Sequence, residues 1–405
     1  MENSLNFLQV ESNIDICFEK SLYTILIKVV LHCGGVILTI EVIFLSRLLG
    51  ILGADIRESL FNGKTYSGLR KIFPILQRLS AGVMINGSMY FEEVPIQTLI
   101  GEFKKQTDFD KISTIKAIKD EFIKFLSENT DSTATDDYIR NLLKPFKDEL
   151  SWQIMDDGFL NTINSKKRRK TPSYVEKYSS YSDEFFDIIP NDMDRIEYNQ
   201  IIWDIFSYEL QFEGTGLIFA GYDEKNHFPS FFEINIFFND NGNIVYDELR
   251  SGINVKKPLL IVFAVNQEAY TFITGVHEDF IDFIVNYIFT KNEGLIEDLR
   301  WSLVDEGVEN VDIIVDIVKD LIYEKFGDVE IDIMDYRLFI IEKTSYSLEH
   351  LPPWLISVFV DLLIYLTAVK QKTSSQQESV SMESNIAIMT KNGGFKFVNN
   401  DGRTF

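Results

Sequence analysis

Cysteine, histidine and positive charge are all scarce in this chain. Its 405 residues include two cysteines and four histidines. Cys17 and Cys33 cannot make a disulfide framework, and no believable secretion signal precedes them, so the expected location is cytoplasmic. His227, His277 and His350 have no mutual metal-ligand spacing; each reads as a surface or packing histidine, and no metal is assigned. Lysine and arginine number 39 against 62 aspartates and glutamates, a net charge of −23. Neutralising phosphates supplies most of the affinity of a general nucleic-acid binder, so this balance argues against one. Lys166-Lys-Arg-Arg-Lys170 is the strong basic run; it reads as a solvated loop or as a partner-docking or nucleic-acid patch, and the surrounding acidity favours the loop. A glycine-rich phosphate loop is missing too, since Gly34-Gly35 is too short. The chain is not expected to hydrolyse ATP itself, and no cofactor is expected.

A clean membrane-spanning run is absent as well. Spanning a bilayer takes about 20 consecutive apolar residues. The stretch from Leu22 to Leu52 is apolar, but Lys28, His32, Gly34-Gly35, Glu41 and Arg47 interrupt it. A signal peptide wants a basic start, whereas Glu2, Glu11, Asp15 and Glu19 make this one acidic. Thr39–Phe44 and Gly50–Ala54 read better as two short buried strands around a turn at Ser46–Leu49. A membrane anchor over Leu22–Leu52 is the competing reading.

What is present is material for a large core: 45% of residues are hydrophobic and 13% aromatic. Strands and a loop fill the span from Thr39 to Gly87, and Val94-Pro95 opens a helix through Lys105. Ile115, Ile118, Phe122 and Phe125 keep a helical spacing, as do Tyr138, Leu142, Leu143 and Phe146. Strands resume at Gly214–Gly221, Phe231–Asn239 and Ile244–Asp247, with a hairpin turn at Asn239-Asp-Asn-Gly242. Leu259–Val265 is a further strand; helices are expected at Phe280–Phe289, Leu295–Val304, Val311–Phe326 and Leu355–Lys370. A closing hairpin runs through Ser384–Thr390 and Phe395–Val398. Strands, two helices, then strands again fit two sheets packed between helix layers, an α+β four-layer αββα sandwich.

The most informative pattern is Thr39, Asp55 and Lys71. Counting Thr39 as the first residue, the other two stand at positions 17 and 33. The segment Thr39-Ile-Glu-Val-Ile-Phe, then Gly53-Ala-Asp55-Ile-Arg57, then Lys71-Ile resembles the start of a mature proteasome β-subunit. That family, with the related bacterial two-ring peptidase, belongs to the N-terminal-nucleophile hydrolases. The resemblance implies a threonine peptidase acting on peptides or unfolded protein. Thr39 would be the nucleophile and its own α-amine the base, an amine whose ordinary pKa is about 7.7–8.0. Lys71 would keep that amine neutral, Asp55 would orient Lys71, and Arg57 would brace the loop around Asp55. Gly82-Val-Met-Ile-Asn-Gly87 is similar to the family's Gly-x-x-x-Gly strand end, which makes Gly87 the candidate oxyanion donor. Glu378 and Ser381 fall where the family has an acidic residue and a serine supporting the amine; Met382-Glu383 replaces the family's Gly-Gly, and a solvated loop is the competing reading.

Against that family, residues 106–205 read as a helical insertion and 1–38 as an extension ahead of the 39–405 hydrolase domain. A free amine at Thr39 requires removal of the extension. Leu38 stands where family precursors carry glycine, so an alternative start is preferred: Gly34-Gly35-Val36 can be encoded by a ribosome-binding sequence and Leu38 by a TTG start codon. The resemblance allows a homo-oligomeric ring, and allows an ATPase partner without requiring one. Small amides are open as substrates. A different class of reading is a catalytically silent scaffold or regulatory subunit, which a retained extension would favour.

Overall fold

A computed structural model of the chain describes residues 39–59, 65–131, 214–264, 267–373 and 380–398. It is a mixed α and β structure with antiparallel sheets. The first sheet begins with β1 (Ile40–Leu45) and β2 (Gly50–Asp55), a hairpin closed where Ser46 Oγ donates to Leu49 O. A short hairpin, β3 (Arg57–Ser59) with β4 (Thr65–Ser67), interrupts the chain before β5 (Ile72–Leu76) and β6 (Ala81–Gly87). Tyr90–Phe91 (β7) and Val94–Pro95 (β8) pair briefly, so the helix expected from Val94 opens two residues later, as α1 (Ile96–Gln106).

α2 (Ile115–Asn129) carries the predicted apolar stripe. Its first turn is held twice: Thr114 Oγ1 accepts from Ala117 N (3.1 Å), and Asp223 Oδ1 accepts from Ile115 N (2.7 Å). The span expected as an insertion is described only to Asp131, and there α2 buries Ile115, Ile118, Phe122 and Phe125 on the sheet core. The second periodic segment at 138–146 and the basic run at 166–170 lie outside the described residues.

Beyond them come β9 (Thr215–Tyr222), β10 (Pro229–Asp240), β11 (Asn243–Gly252) and β12 (Leu259–Ala264). Four helices follow: α3 (Gln267–Thr274), α4 (Glu278–Asp305), α5 (Val311–Glu349) and α6 (Pro353–Thr373). The two helices expected between Phe280 and Val304 are one, α4, and the helix expected to stop at Phe326 runs on to Glu349 as α5. A helical glycine such as Gly294 costs only about 1 kcal/mol against alanine. The buried stripe of Ile281, Val285 and Ile296, with α4 packed on α5, outweighs that cost. The hairpin of β13 (Ser384–Thr390) and β14 (Gly394–Phe397) closes the described chain.

One sheet has strand order β12-β1-β2-β13-β14 and the other β11-β10-β9-β6-β5. Alternation along the strands sends successive side chains to opposite faces. In β1, Ile43 and Leu45 join one apolar cluster with Leu52, Met84, Ile218 and Ala220, which links the two sheets. Val42 and Phe44, one residue out of phase, join a second cluster with Val360, Leu363 and Ile364 of α6. A third cluster sets Val83, Leu217 and Ile234 of the other sheet against Phe103 of α1 and Phe122 of α2. Among the described residues, α6 is the one helix long and apolar enough to cross a membrane by length and composition; here Ile356, Val360 and Leu363 are buried against β1 and β2.

Gly53 lets α6 sit this close. A Cβ there would lie 2.4 Å from Val360 Cγ1 and 3.0 Å from Ile386 Cδ1. Gly53→Ala is therefore expected to lower the free energy of unfolding by about 1–3 kcal/mol, read as a reduced urea midpoint. An unchanged midpoint would contradict this seating of α6 on β2.

Candidate functional site

Thr39 and Glu41 lie two residues apart at the entry to β1, and the strand period puts them on one face. Both are fully buried. Thr39 Oγ1 donates to Glu41 Oε2 at 3.1 Å, and Lys71 Nζ donates to the other oxygen, Glu41 Oε1, at 3.4 Å. Lys71 is also fully buried, just ahead of β5 on the second sheet, and Ile85 N of β6 holds its carbonyl at 2.9 Å. The network therefore bridges the two sheets.

Asp55 ends β2 and is the other carboxylate on Lys71, in direct ion-pair contact with Nζ through Oδ1. Ile40 N also reaches Oδ1, at 3.5 Å. Oδ2 accepts from two backbone amides, Arg57 N and Ser381 N, each at 3.1 Å. These donors come from the start of β1, the turn after β2, the segment before β5 and the approach to β13. Each Asp55 oxygen is thereby supplied with two donors. Ser381 Oγ in turn accepts from Glu383 N (3.1 Å), shaping the chain as it enters β13.

The electrostatics follow from burial. Lys71, Asp55 and Glu41 have no exposed surface, so an ionised triad would carry a net negative charge with no water to solvate it. Desolvation is the largest influence on Glu41 and Asp55 adds to it, while Lys71 and the Thr39 hydroxyl oppose; the carboxyl is pushed up to about 8. Below that value the neutral acid makes the cluster charge-balanced, with Lys71 and Asp55 as the remaining pair. Near and above it, Glu41 is a carboxylate beside a hydroxyl, able to accept a proton.

Three of the expected site residues, Thr39, Asp55 and Lys71, thus share one hydrogen-bonded network through Glu41 and Ile40. Arg57 braces Asp55 through its backbone N–H. Ser381 meets the site through its backbone amide on Asp55. Gly87 ends β6 opposite Thr215 with φ of +70°, its Cβ position 3.0 Å from Gly214 O, a backbone that favours glycine. Glu378, Cys17, Cys33 and the extension to residue 38 lie outside the described residues. Just past the end of β9, Asp223 caps α2 and also accepts from Ser230 Oγ at 3.0 Å. His277 caps α4, its Nδ1 accepting from Asp279 N at 3.2 Å.

Sequence reasoning missed Glu41. Its signal was present: a lone carboxylate inside Ile40-Glu-Val-Ile-Phe-Leu45, a run otherwise apolar and wholly buried, must find a partner. Position two after Thr39 points that partner toward the same site.

The raised Glu41 carboxyl has a pH consequence of definite sign. Between about 4.5, its ordinary value, and about 8, the folded chain keeps a proton that the unfolded chain releases. Stability attributable to this group is full below the lower value and is lost as pH rises, by up to about 1.4 kcal/mol per pH unit. Urea denaturation across that window should show the decline in the parent chain and its absence in Glu41→Gln; equal slopes would refute the assignment. Comparison of the chain with models of known protein families and with curated proteins found no match.

Proposed function

We propose that the chain is a threonine amide-bond hydrolase of the N-terminal-nucleophile type, acting on peptides or unfolded protein, with Thr39 as nucleophile. The observation that carries this is the buried network in which the Thr39 hydroxyl, Glu41, Lys71 and Asp55 meet at the junction of two sheets. A hydroxyl donating to a carboxyl whose other oxygen meets an ammonium is one arrangement in which a threonine can be activated.

The fold this reading calls for is the four-layer αββα sandwich. Support comes from the three apolar clusters: one joins the sheets, one lays α6 on the first, and one lays α1 and α2 on the second. In the reaction, Thr39 Oγ attacks the amide carbonyl and the displaced charge gathers on the carbonyl oxygen. The backbone N–H of Gly87 is the assigned donor to it. Collapse expels the amine and leaves an ester on Thr39, which water hydrolyses. Cutting the bond between Leu38 and Thr39 would free an α-amine as one acceptor for the hydroxyl proton, with the Lys71 charge keeping that amine neutral.

Hydrolysis of fluorogenic peptide amides, followed together with intact mass, tests the reading. Thr39→Ala should reduce turnover by more than about 1000-fold, since loss of a nucleophile removes the covalent route. Turnover that survives the substitution sinks the nucleophile. A chain that keeps the residues before Thr39 and hydrolyses nothing points instead to the catalytically silent scaffold.

A further inference from the structure

We infer that the first three turns of α5 are a docking surface for a cationic amphipathic helix of another protein. The inference stands apart from the Thr39 site and does not depend on the hydrolase reading. It starts from a repeat: Val311-Asp-Ile-Ile, Val315-Asp-Ile-Val and Lys319-Asp-Leu-Ile322 are consecutive tetrads of one pattern. Four residues make slightly more than one helical turn. Each place in the tetrad therefore becomes a ridge along the helix, with a rise of about 6 Å between successive side chains.

The ridges have different surroundings. Val315 is buried, and Ile314, Val318 and Ile322 are half-buried; they form the packed side of the helix. The third place in the tetrad faces outward instead, with Ile313 60% exposed, Ile317 56% and Leu321 54%. Beside it run Asp312, Asp316 and Asp320, all exposed, with Arg300 of α4 paired to Asp312 at the end of the row. Single aliphatic side chains at a surface are ordinary, but an unbroken row of three marks a contact surface. An aliphatic ridge flanked by a carboxylate ridge complements a helix whose apolar residues recur every three or four places beside lysine or arginine. Ridges at this spacing are those by which one helix seats in the grooves of another.

Charge selects the occupant. Over residues 278–349, which span α4 and α5, nineteen aspartates and glutamates stand against six lysines and arginines. A second copy of the chain, itself at −23, would bring carboxylates onto a carboxylate surface. An anionic bilayer meets the same repulsion, since membrane-surface helices carry lysine and arginine on their polar face. A cationic helix is attracted along the whole row and covers the aliphatic ridge as it seats.

The test titrates the full chain against a fluorescent helical peptide of leucine and lysine, with the leucines at three-and-four spacing. Its controls are a scrambled peptide and one with glutamate in place of lysine. The parent chain should bind the first peptide, more weakly as salt is added, and neither control. Asp316→Asn with Asp320→Asn should weaken binding about 5-fold or more, and Ile317→Ser with Leu321→Ser about 10-fold or more. Glu121→Gln with Glu128→Gln, exposed carboxylates of α2, should leave it unchanged. Equal loss in the α2 pair, no loss in the α5 pairs, or equal binding of a control would overturn the surface and leave only a general attraction to an acidic chain. Two further outcomes also overturn it. One is a dimer of the parent chain, by sedimentation, that Ile317→Ser with Leu321→Ser dissociates. The other is co-sedimentation with phosphatidylglycerol–phosphatidylcholine vesicles that the same pair abolishes. Should a variant fail to fold, photo-crosslinking of the peptide to the parent chain decides the matter: the crosslink falls within 311–322 or the surface is wrong.

Discussion

A single ammonium held out of water is the constraint around which this site is organised. Lys71 has no exposed surface, and the direct ion pair with Asp55 and the contact with Glu41 are its compensation. Charges removed from water repay their desolvation only when the geometry is good and the remaining lone pairs are satisfied. Asp55 meets that condition with amides from three separate segments, and Glu41 meets it with the Thr39 hydroxyl. Thr39 belongs to the same electrostatic solution: the group that completes the hydrogen bonding of Glu41 is its hydroxyl.

The two sheets supply the rigidity that such a cluster needs. Glu41 comes from β1 of one sheet, while Lys71 leads into β5 at the edge of the other. Their spacing depends on the apolar layer of Ile43, Leu52, Met84 and Ile218 between the sheets, which is close-packed and compresses little. Glycine acts behind the site. The bare backbone at Gly53 draws α6 onto β2, so the strand that ends in Asp55 is pinned from its outer face.

Much of this was legible in the sequence because buried strands announce themselves. The runs at Ile40–Leu45 and Gly50–Asp55, the Asn239–Gly242 turn and the closing hairpin all stand where periodicity and turn chemistry put them. Helix ends were less legible. Gly294 and Gly327 look like breaks in a one-dimensional pattern, yet α4 and α5 pass through them, since a helical glycine costs only about 1 kcal/mol. In the site, the interval from Thr39 to Asp55 to Lys71 was readable as a pattern of spacing. The part of Glu41 was not, because a charge within an apolar run reads as an interruption until the strand's face is known. The backbone donors on Asp55 were equally hidden, since an amide carries no letter in the sequence.

Asp55 has a further consequence for how the site comes into being. Its partners Ile40, Arg57 and Lys71 are near neighbours along the chain, but Ser381 arrives more than three hundred residues later, alongside the strand that pairs with β2. During synthesis the early segments emerge long before that last amide exists. Until that segment has been made, Asp55 Oδ2 has Arg57 N but lacks its second backbone donor. The network around Thr39 is therefore finished by a long-range contact, made as β13 closes onto β2.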